Sequence, residues 1–263
     1  MIKPGLFSSI FIIPILNVLV AFYVVFSFLR IPFALGFAII TLTFLVRFLL
    51  QPFFNQQMQT AKKMQDIKPQ LDILTKKHKG DKKMIQQEQL KLYQQAGINP
   101  AAGCLFMIVQ IPVFIALYRA LLLFLHNGDQ SKVIADINNV LYSKALYIKS
   151  IDPNFFGLNL AASPQTVGNP IYFLVPVVTA ALQYYQVKVS TPIQSKSTPA
   201  QPNVPSTDKK GSQEDFQKAM TSQMKYVFPL LIGWFAYTLP VGLSLYWNVF
   251  SLFSIIQYRK LNK

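Results

Sequence analysis

The sequence predicts an all-α membrane protein, a five-span helical bundle with a hydrophilic groove. Three observations carry that prediction. The chain of 263 residues is 52% hydrophobic and only 13% charged, with positive mean hydropathy. Its apolar runs are long and separated by lysine-rich polar segments, the pattern of a polytopic protein rather than a soluble core. And one of those runs carries an arginine near its middle, where lipid would otherwise be.

Residues 1–32 hold the apolar stretch Leu6–Leu29, broken by Ser8, Ser9, Asn17 and Ser27, with Pro14 inside it. Its length suits a spanning helix or a signal anchor. Its weakly polar side suits a helix lying in the interface, and both readings stand. Residues 33–54 are the first core span. Phe33–Gln51 is long enough to cross a hydrocarbon layer of ~30 Å at about 1.5 Å per residue. Within it Thr43, Arg47 and Gln51 are spaced four apart and share one face. A guanidinium cannot shed its charge, and placing one there costs about 2.5–3.5 kcal/mol on insertion scales. Such a residue needs a partner or a hydrated cavity.

Residues 55–99 read as a cytoplasmic helical hairpin. Met58, Ala61, Met64, Ile67, Leu71 and Leu74 recur at helical spacing, Lys79-Gly80-Asp81 breaks the pattern, and a second helix resumes over Asp81–Ala96. Its nine lysines place it on the cytosolic side. Residues 100–125 are the second span, with Pro100 at its start and Gln110 and Pro112 in mid-membrane. Residues 126–169 form an outer loop with only three lysines. Residues 170–188 are the third span, with Thr179, Gln183 and Gln186 on one face. Residues 189–224, rich in Pro, Ser, Thr and Gln, read as a flexible cytoplasmic linker. As one helix, Tyr226–Ile256 would run about 46 Å, too long for a single crossing, so Leu239-Pro240-Val-Gly242 splits residues 225–257 into a two-span hairpin. Residues 258–263 are then a cytoplasmic tail.

The net charge of +15 lies in loops, where the positive-inside bias and anionic lipid explain it without nucleic acid; a loop helix touching ribosomal RNA is the alternative. The single Cys104 excludes an internal disulfide and reads as a packing residue, and His78 and His126 read as solvated loop histidines. No intramembrane carboxylate or histidine is placed for acid–base work, and no metal-ligand spacing or phosphate loop occurs. The expectation is a protein that is not an enzyme and has no cofactor or metal. What the spans do carry is polar stripes: Arg47, Thr43 and Gln51; Gln110; Gln183 beside Thr179 and Gln186; and Ser244, Asn248 and Ser251. Singly, such residues tie helices together. Because no Asp or Glu occurs in any apolar span, Arg47 has no counter-ion there, and a wet concavity lined by these stripes is the expected arrangement.

At these residues the chain resembles the YidC/Oxa-type membrane protein insertases. Gly97-Ile-Asn-Pro100-Ala-Ala-Gly103-Cys104, running into Gln110-Ile-Pro112-Val-Phe114-Ile-Ala-Leu117-Tyr118, is similar to that family's second core span. Pro240-Val-Gly242-Leu-Ser-Leu245-Tyr246-Trp247-Asn248, followed by Ile256-Gln257, is similar to its last. Thr43-Phe-Leu-Val-Arg47 looks like the groove arginine with its neighbour, and Phe155-Phe-Gly157-Leu-Asn-Leu160 like the outer-loop motif. The resemblance implies five core helices enclosing a groove open to cytosol and lipid but shut outside, and a function in inserting nascent membrane proteins and helping them fold. It implies Arg47 as the groove charge, Thr43 and Gln110 as lining, and Phe114, Tyr246 and Trp247 as contacts for the client's helix. It also implies an interfacial place for Leu6–Leu29, and a bacterial plasma membrane location with the C-terminus inside. The implied partners are nascent membrane proteins and the bilayer, with the ribosome and the secretion channel as further partners to test. Against the family pattern the sequence shows no large periplasmic domain and no long basic tail, which moves the expected ribosome contact to the hairpin lysines. The alternative function is a small-solute channel or carrier, since polar stripes also line conduction paths.

Overall fold

The computed structural model describes residues 5–78, 81–98, 101–125, 130–190 and 213–261, with residues 82, 101–110, 130, 213–224 and 261 described by backbone alone. Its elements are almost all helical. A π-helical turn, Ser8–Ile12, leads into α1 (Ile13–Phe28), followed by α2 (Ala34–Leu49), α3 (Gln51–Asp66), α4 (Lys68–Lys77) and α5 (Lys82–Gln95). Then come α6 (Ala101–Phe124), α7 (Gln130–Asn138), a two-stranded hairpin of β1 (Asn154–Phe155) and β2 (Leu158–Asn159), and α8 (Pro164–Val167). The chain closes with α9 (Pro170–Ser190), α10 (Gln213–Thr238) and α11 (Val241–Leu261).

Two boundaries depart from the sequence expectation. The first core span does not run to residue 54: α2 stops at Leu49, and α3 leaves it at a bend of 65°. Pro52 supplies the reason. It has no N–H for the Phe48 carbonyl, and its ring crowds that same carbonyl, so the helix restarts with proline in its first turn. Pro69 opens α4 in the same way. The second departure lies in the expected linker 189–224: helix α10 begins at Gln213, so its last twelve residues are helical rather than flexible. The rest of that linker, residues 191–212, lies outside the described residues, as do Lys79-Gly80, Pro100 and His126. The break in the final apolar run falls at Leu239-Pro240 between α10 and α11.

Among the described residues, Ser8–Phe28 is the helix that by length and composition could cross a membrane alone, and α2 with α3 passes the same test as a bent pair. Yet α1 is tied along its length to the 140–152 segment. Asn17, buried, donates through Nδ2 to the Val140 carbonyl at 3.1 Å and accepts from the Tyr142 amide at 2.7 Å. Six residues further on, Tyr23 Oη donates to the Ser150 carbonyl and accepts from the Asp152 amide. On the same helix Leu16, Leu19 and Val20 are fully buried in one cluster with Leu117 and Leu121 of α6 and with Leu125 just after it. Asn17→Ala strands the Tyr142 amide and the Val140 carbonyl, and is expected to lower stability by about 1–2 kcal/mol. Unfolding in detergent checks the loss, and faster trypsin cleavage at the exposed Lys144 and Lys149 checks that this segment is what loosens.

The segment read as an outer loop is a structured cap. Asn138 exchanges both its amide groups with Ile148, at 3.0 Å each way, and Tyr172 Oη accepts from the Asn159 amide at 2.8 Å. The β1–β2 turn places Phe156 at φ 47° and Gly157 at φ 84°, a two-residue hairpin with both central residues left-handed. That turn sets Phe155 and Phe156 against the start of α2: Phe33 stacks on Phe156 with centroids 4.6 Å apart, and Phe37 meets Phe155 edge-on at 5.9 Å. The Leu160 and Ala162 carbonyls accept from the Gly242 and Val241 amides at 2.9 and 3.0 Å. These bonds pin the α10–α11 corner under the cap and satisfy the first free amides of α11.

Candidate functional site

Arg47 sits in the last turn of α2, eleven residues and roughly 16 Å along the helix from Gly36 under the cap. It is 3% exposed. The sequence called for a guanidinium bathed in water. The structure instead closes its two faces with rings, Phe54 of α3 at 3.5 Å and Phe250 of α11 at 4.5 Å from Cζ to centroid. Nη2 donates to Gln257 Oε1 at 2.6 Å. Gln257 Nε2 donates to Gln51 Oε1 at 2.6 Å, and Gln51 Nε2 to Asn55 Oδ1 at 2.9 Å. A relay of neutral amides thus leads from the buried charge out to the exposed first turns of α3.

Magnitudes explain why this arrangement holds. Desolvated cation–π contact is worth about 2 kcal/mol and a hydrogen bond from a charged donor about 1.5–3 kcal/mol. Together they meet or exceed the insertion cost of about 2.5–3.5 kcal/mol. No internal carboxylate is needed. Arg47 Nε and Nη1, both buried, have no hydrogen-bond partner in the structure. The guanidinium is therefore stabilised on its faces and at one nitrogen, while its charge is not neutralised.

The other sequence candidates fall in separate places. Thr43 is buried and its hydroxyl is spent on its own helix, donating to the Ile39 carbonyl at 2.7 Å; Thr179 does the same to Val175. Gln183 accepts from the Ser251 hydroxyl at 3.1 Å, joining α9 to α11. Asn248 Oδ1, Ser244 Oγ and Gln186 Oε1 are buried without a hydrogen-bond partner. Ser244, Asn248 and Ser251 lie on one face of α11, roughly a third of a turn from Phe250 and Gln257. The several stripes thus meet α11 on two sides: Arg47 and Gln51 join Gln257 on one, and Gln183 joins Ser251, near Asn248, on the other. Gln110 is placed in α6 by its backbone, and its side chain lies outside the described residues.

The residues assigned to client contact are turned inward. Tyr246 is 3% exposed and Trp247 9%, both in the central cluster, where Trp247 stacks on half-buried Phe114 with centroids 5.8 Å apart. Neither offers an open face to lipid in this structure. Phe54, Phe250, Gln257 and Asn55 had no role assigned from sequence. Phe54 could have been found, seven residues from Arg47 and so on its face. Phe250 and Gln257 could not, because about two hundred residues separate them from it.

A family model described as "60Kd inner membrane protein" matches residues 24–263, which includes the arginine, its rings and the amide relay. The chain belongs to the 60Kd inner membrane protein family. It is similar to the inner membrane protein ALBINO3 of Arabidopsis thaliana chloroplasts, 32% identical over 89% of this chain and 48% of that protein. It is also similar to the membrane protein insertase YidC of Oceanobacillus iheyensis, 30% identical over 87% of this chain and 74% of that protein. The YidC of Helicobacter pylori is 31% identical over 87% of this chain and 33% of that protein. The chain spans about half the length of the chloroplast relatives it matches. Within the 60Kd family framework, no group of three or more His, Cys, Asp or Glu side chains comes together among the described residues to hold a metal.

Proposed function

We propose that this chain is a membrane protein insertase, not an enzyme, which receives short polar segments of nascent membrane proteins at Arg47. The observation that carries the reading is a buried guanidinium held by two rings and an uncharged amide, with two nitrogens unpartnered, at the end of α2 that meets the lysine-rich hairpin. Family membership and the similarity to proteins named as insertases support it. In this reading α2, α6, α9, α10 and α11 are the five spans, the C-terminus is cytoplasmic, and the hydrophilic groove opens toward cytosol and lipid. The cap is then on the outside, where its bonds to Gly242 and Val241 and its rings on α2 close the bundle. Helix α1, tied along that cap, is an interfacial helix rather than a sixth span.

The physical work is the removal of a barrier. Polar groups crossing hydrocarbon lose their hydrogen bonds to water, and a groove extending partway across shortens that path. Arg47 adds attraction for acidic residues, which an uncompensated charge exerts strongly in a low-dielectric setting. Phe54 lies just beyond the 65° bend, so a small swing of α3 at Leu50 lifts one ring from the guanidinium and lets a client in. Tyr246, Trp247 and Phe114 then contact the client's helix once it parts α6 from α11. Nascent membrane proteins and the bilayer are the partners, with the ribosome at the hairpin lysines and the secretion channel as further ones, in a bacterial plasma membrane.

Reconstitution separates insertion from conduction. The purified chain in liposomes is expected to protect a single-span client from added protease, and photo-crosslinkers at Gln110, Phe114 and Trp247 are expected to capture a stalled nascent chain. Solute flux without client protection overturns the proposal in favour of a channel.

A further inference from the structure

Resting on the insertase reading, we propose that Gln257 is a specificity-determining residue. By partnering Arg47 without neutralising it, Gln257 leaves the charge available to acidic client segments. The orientation of this amide is set from both ends. Arg47 can only donate, so it takes an oxygen, and Gln257 presents Oε1 at 2.6 Å. Its nitrogen is committed to Gln51 Oε1 at 2.6 Å, and the Gln51 nitrogen to Asn55 Oδ1 at 2.9 Å. The Gln257 and Gln51 oxygens accept from the arginine side and their nitrogens donate away from it, so neither of these two amides can turn without breaking two bonds.

The relay therefore satisfies the geometry of Nη2 and supplies a dipole, but no net negative charge. Neither α2 nor α11 contains Asp or Glu. A carboxylate at position 257 would be nearly isosteric with the amide and would sit at the same 2.6 Å. Such a charge-assisted bond outranks one brought by a mobile client, because it needs no ordering and is already desolvated. Nε and Nη1 would still be unpartnered, but the field they project would be cancelled at its source. The choice of glutamine over glutamate at 257, rather than the presence of Arg47 alone, thus decides whether acidic segments are drawn in.

The test uses the full chain in liposomes and a single-span client whose short translocated tail carries aspartates or, in a matched version, asparagines. Wild type is expected to insert the acidic tail several-fold better. Gln257→Glu is expected to bring the ratio to parity by slowing the acidic tail alone, leaving the asparagine tail at its wild-type rate. Gln257→Met, which removes the acceptor without adding charge, is expected to keep or raise the acidic preference. A purely structural role moves both tails together in every variant. A Gln257→Glu protein that still prefers the acidic tail overturns the proposal. If Gln257→Glu does not accumulate in membranes, Gln257→Met carries the test, and parity there with normal asparagine-tail insertion overturns it. A wild type that inserts neither tail overturns the insertase reading instead, whatever occupies position 257.

Discussion

Arg47→Ala is expected to cut insertion of acidic-tailed clients about tenfold, the equivalent of about 1.4 kcal/mol, while changing neutral-tailed clients less than about twofold. The rings of Phe54 and Phe250 and the Gln257 amide hold a charge without cancelling it, so its removal takes away attraction and leaves the polar route itself in place. Arg47→Lys is not a rescue, because an ammonium cannot lie flat between two rings, and its charge, more strongly hydrated, is harder to desolvate. Arg47→Met separates function from stability. An unbranched thioether, shorter by two atoms, still packs toward the rings and carries no charge-burial cost, so this variant is expected to be at least as stable as wild type and still defective toward acidic tails. Protease protection in liposomes reads the insertion, and unfolding in detergent reads the stability. Equal insertion of acidic and neutral tails by wild type removes the charge-attraction step.

The second large effect is at the opposite end of α2. A methyl group added at Gly36 overlaps the Phe155 ring, whose Cγ lies 2.7 Å from where the new carbon would be. Phe155 has little room to retreat, being packed edge-on against Phe33, Phe37 and Phe156. Gly36→Ala is therefore expected to cost about 1–3 kcal/mol, the usual penalty for overfilling a packed site. The loss should be strongly non-additive with Phe155→Ala: removing the ring makes the space, so the double variant is expected to be no less stable than Phe155→Ala alone. Additive losses in that cycle would mean that the close approach seen here is not what Gly36 provides. Because the cap closes the outer end in the proposed topology, Gly36→Ala liposomes are also expected to leak small ions faster than wild type.

Much of this was legible in the residues. The apolar runs, the lysine-rich hairpin, the Pro240 break and the anomalous Arg47 all follow from local periodicity and composition, which act through the nearest few neighbours along the chain. Hydropathy stays high past Leu49 and so extends the first span to residue 54, while Pro52 ends α2 by a steric and hydrogen-bond effect that hydropathy does not register. The start of α10 at Gln213 was missed for the converse reason: its first turns are polar, and composition read them as linker.

Composition and spacing alone establish that a charge lies in an apolar helix, with no acid in any apolar run to meet it. How that charge is borne depends on packing, since Phe250 and Gln257 reach Arg47 from about two hundred residues away through the contact of α11 with α2. Packing also divided the polar positions of α11 between two faces, one toward Arg47 and one toward α9. The physical reason is that a helix's own spacing fixes which residues share a face, whereas the partner each face receives depends on which helices the core draws together.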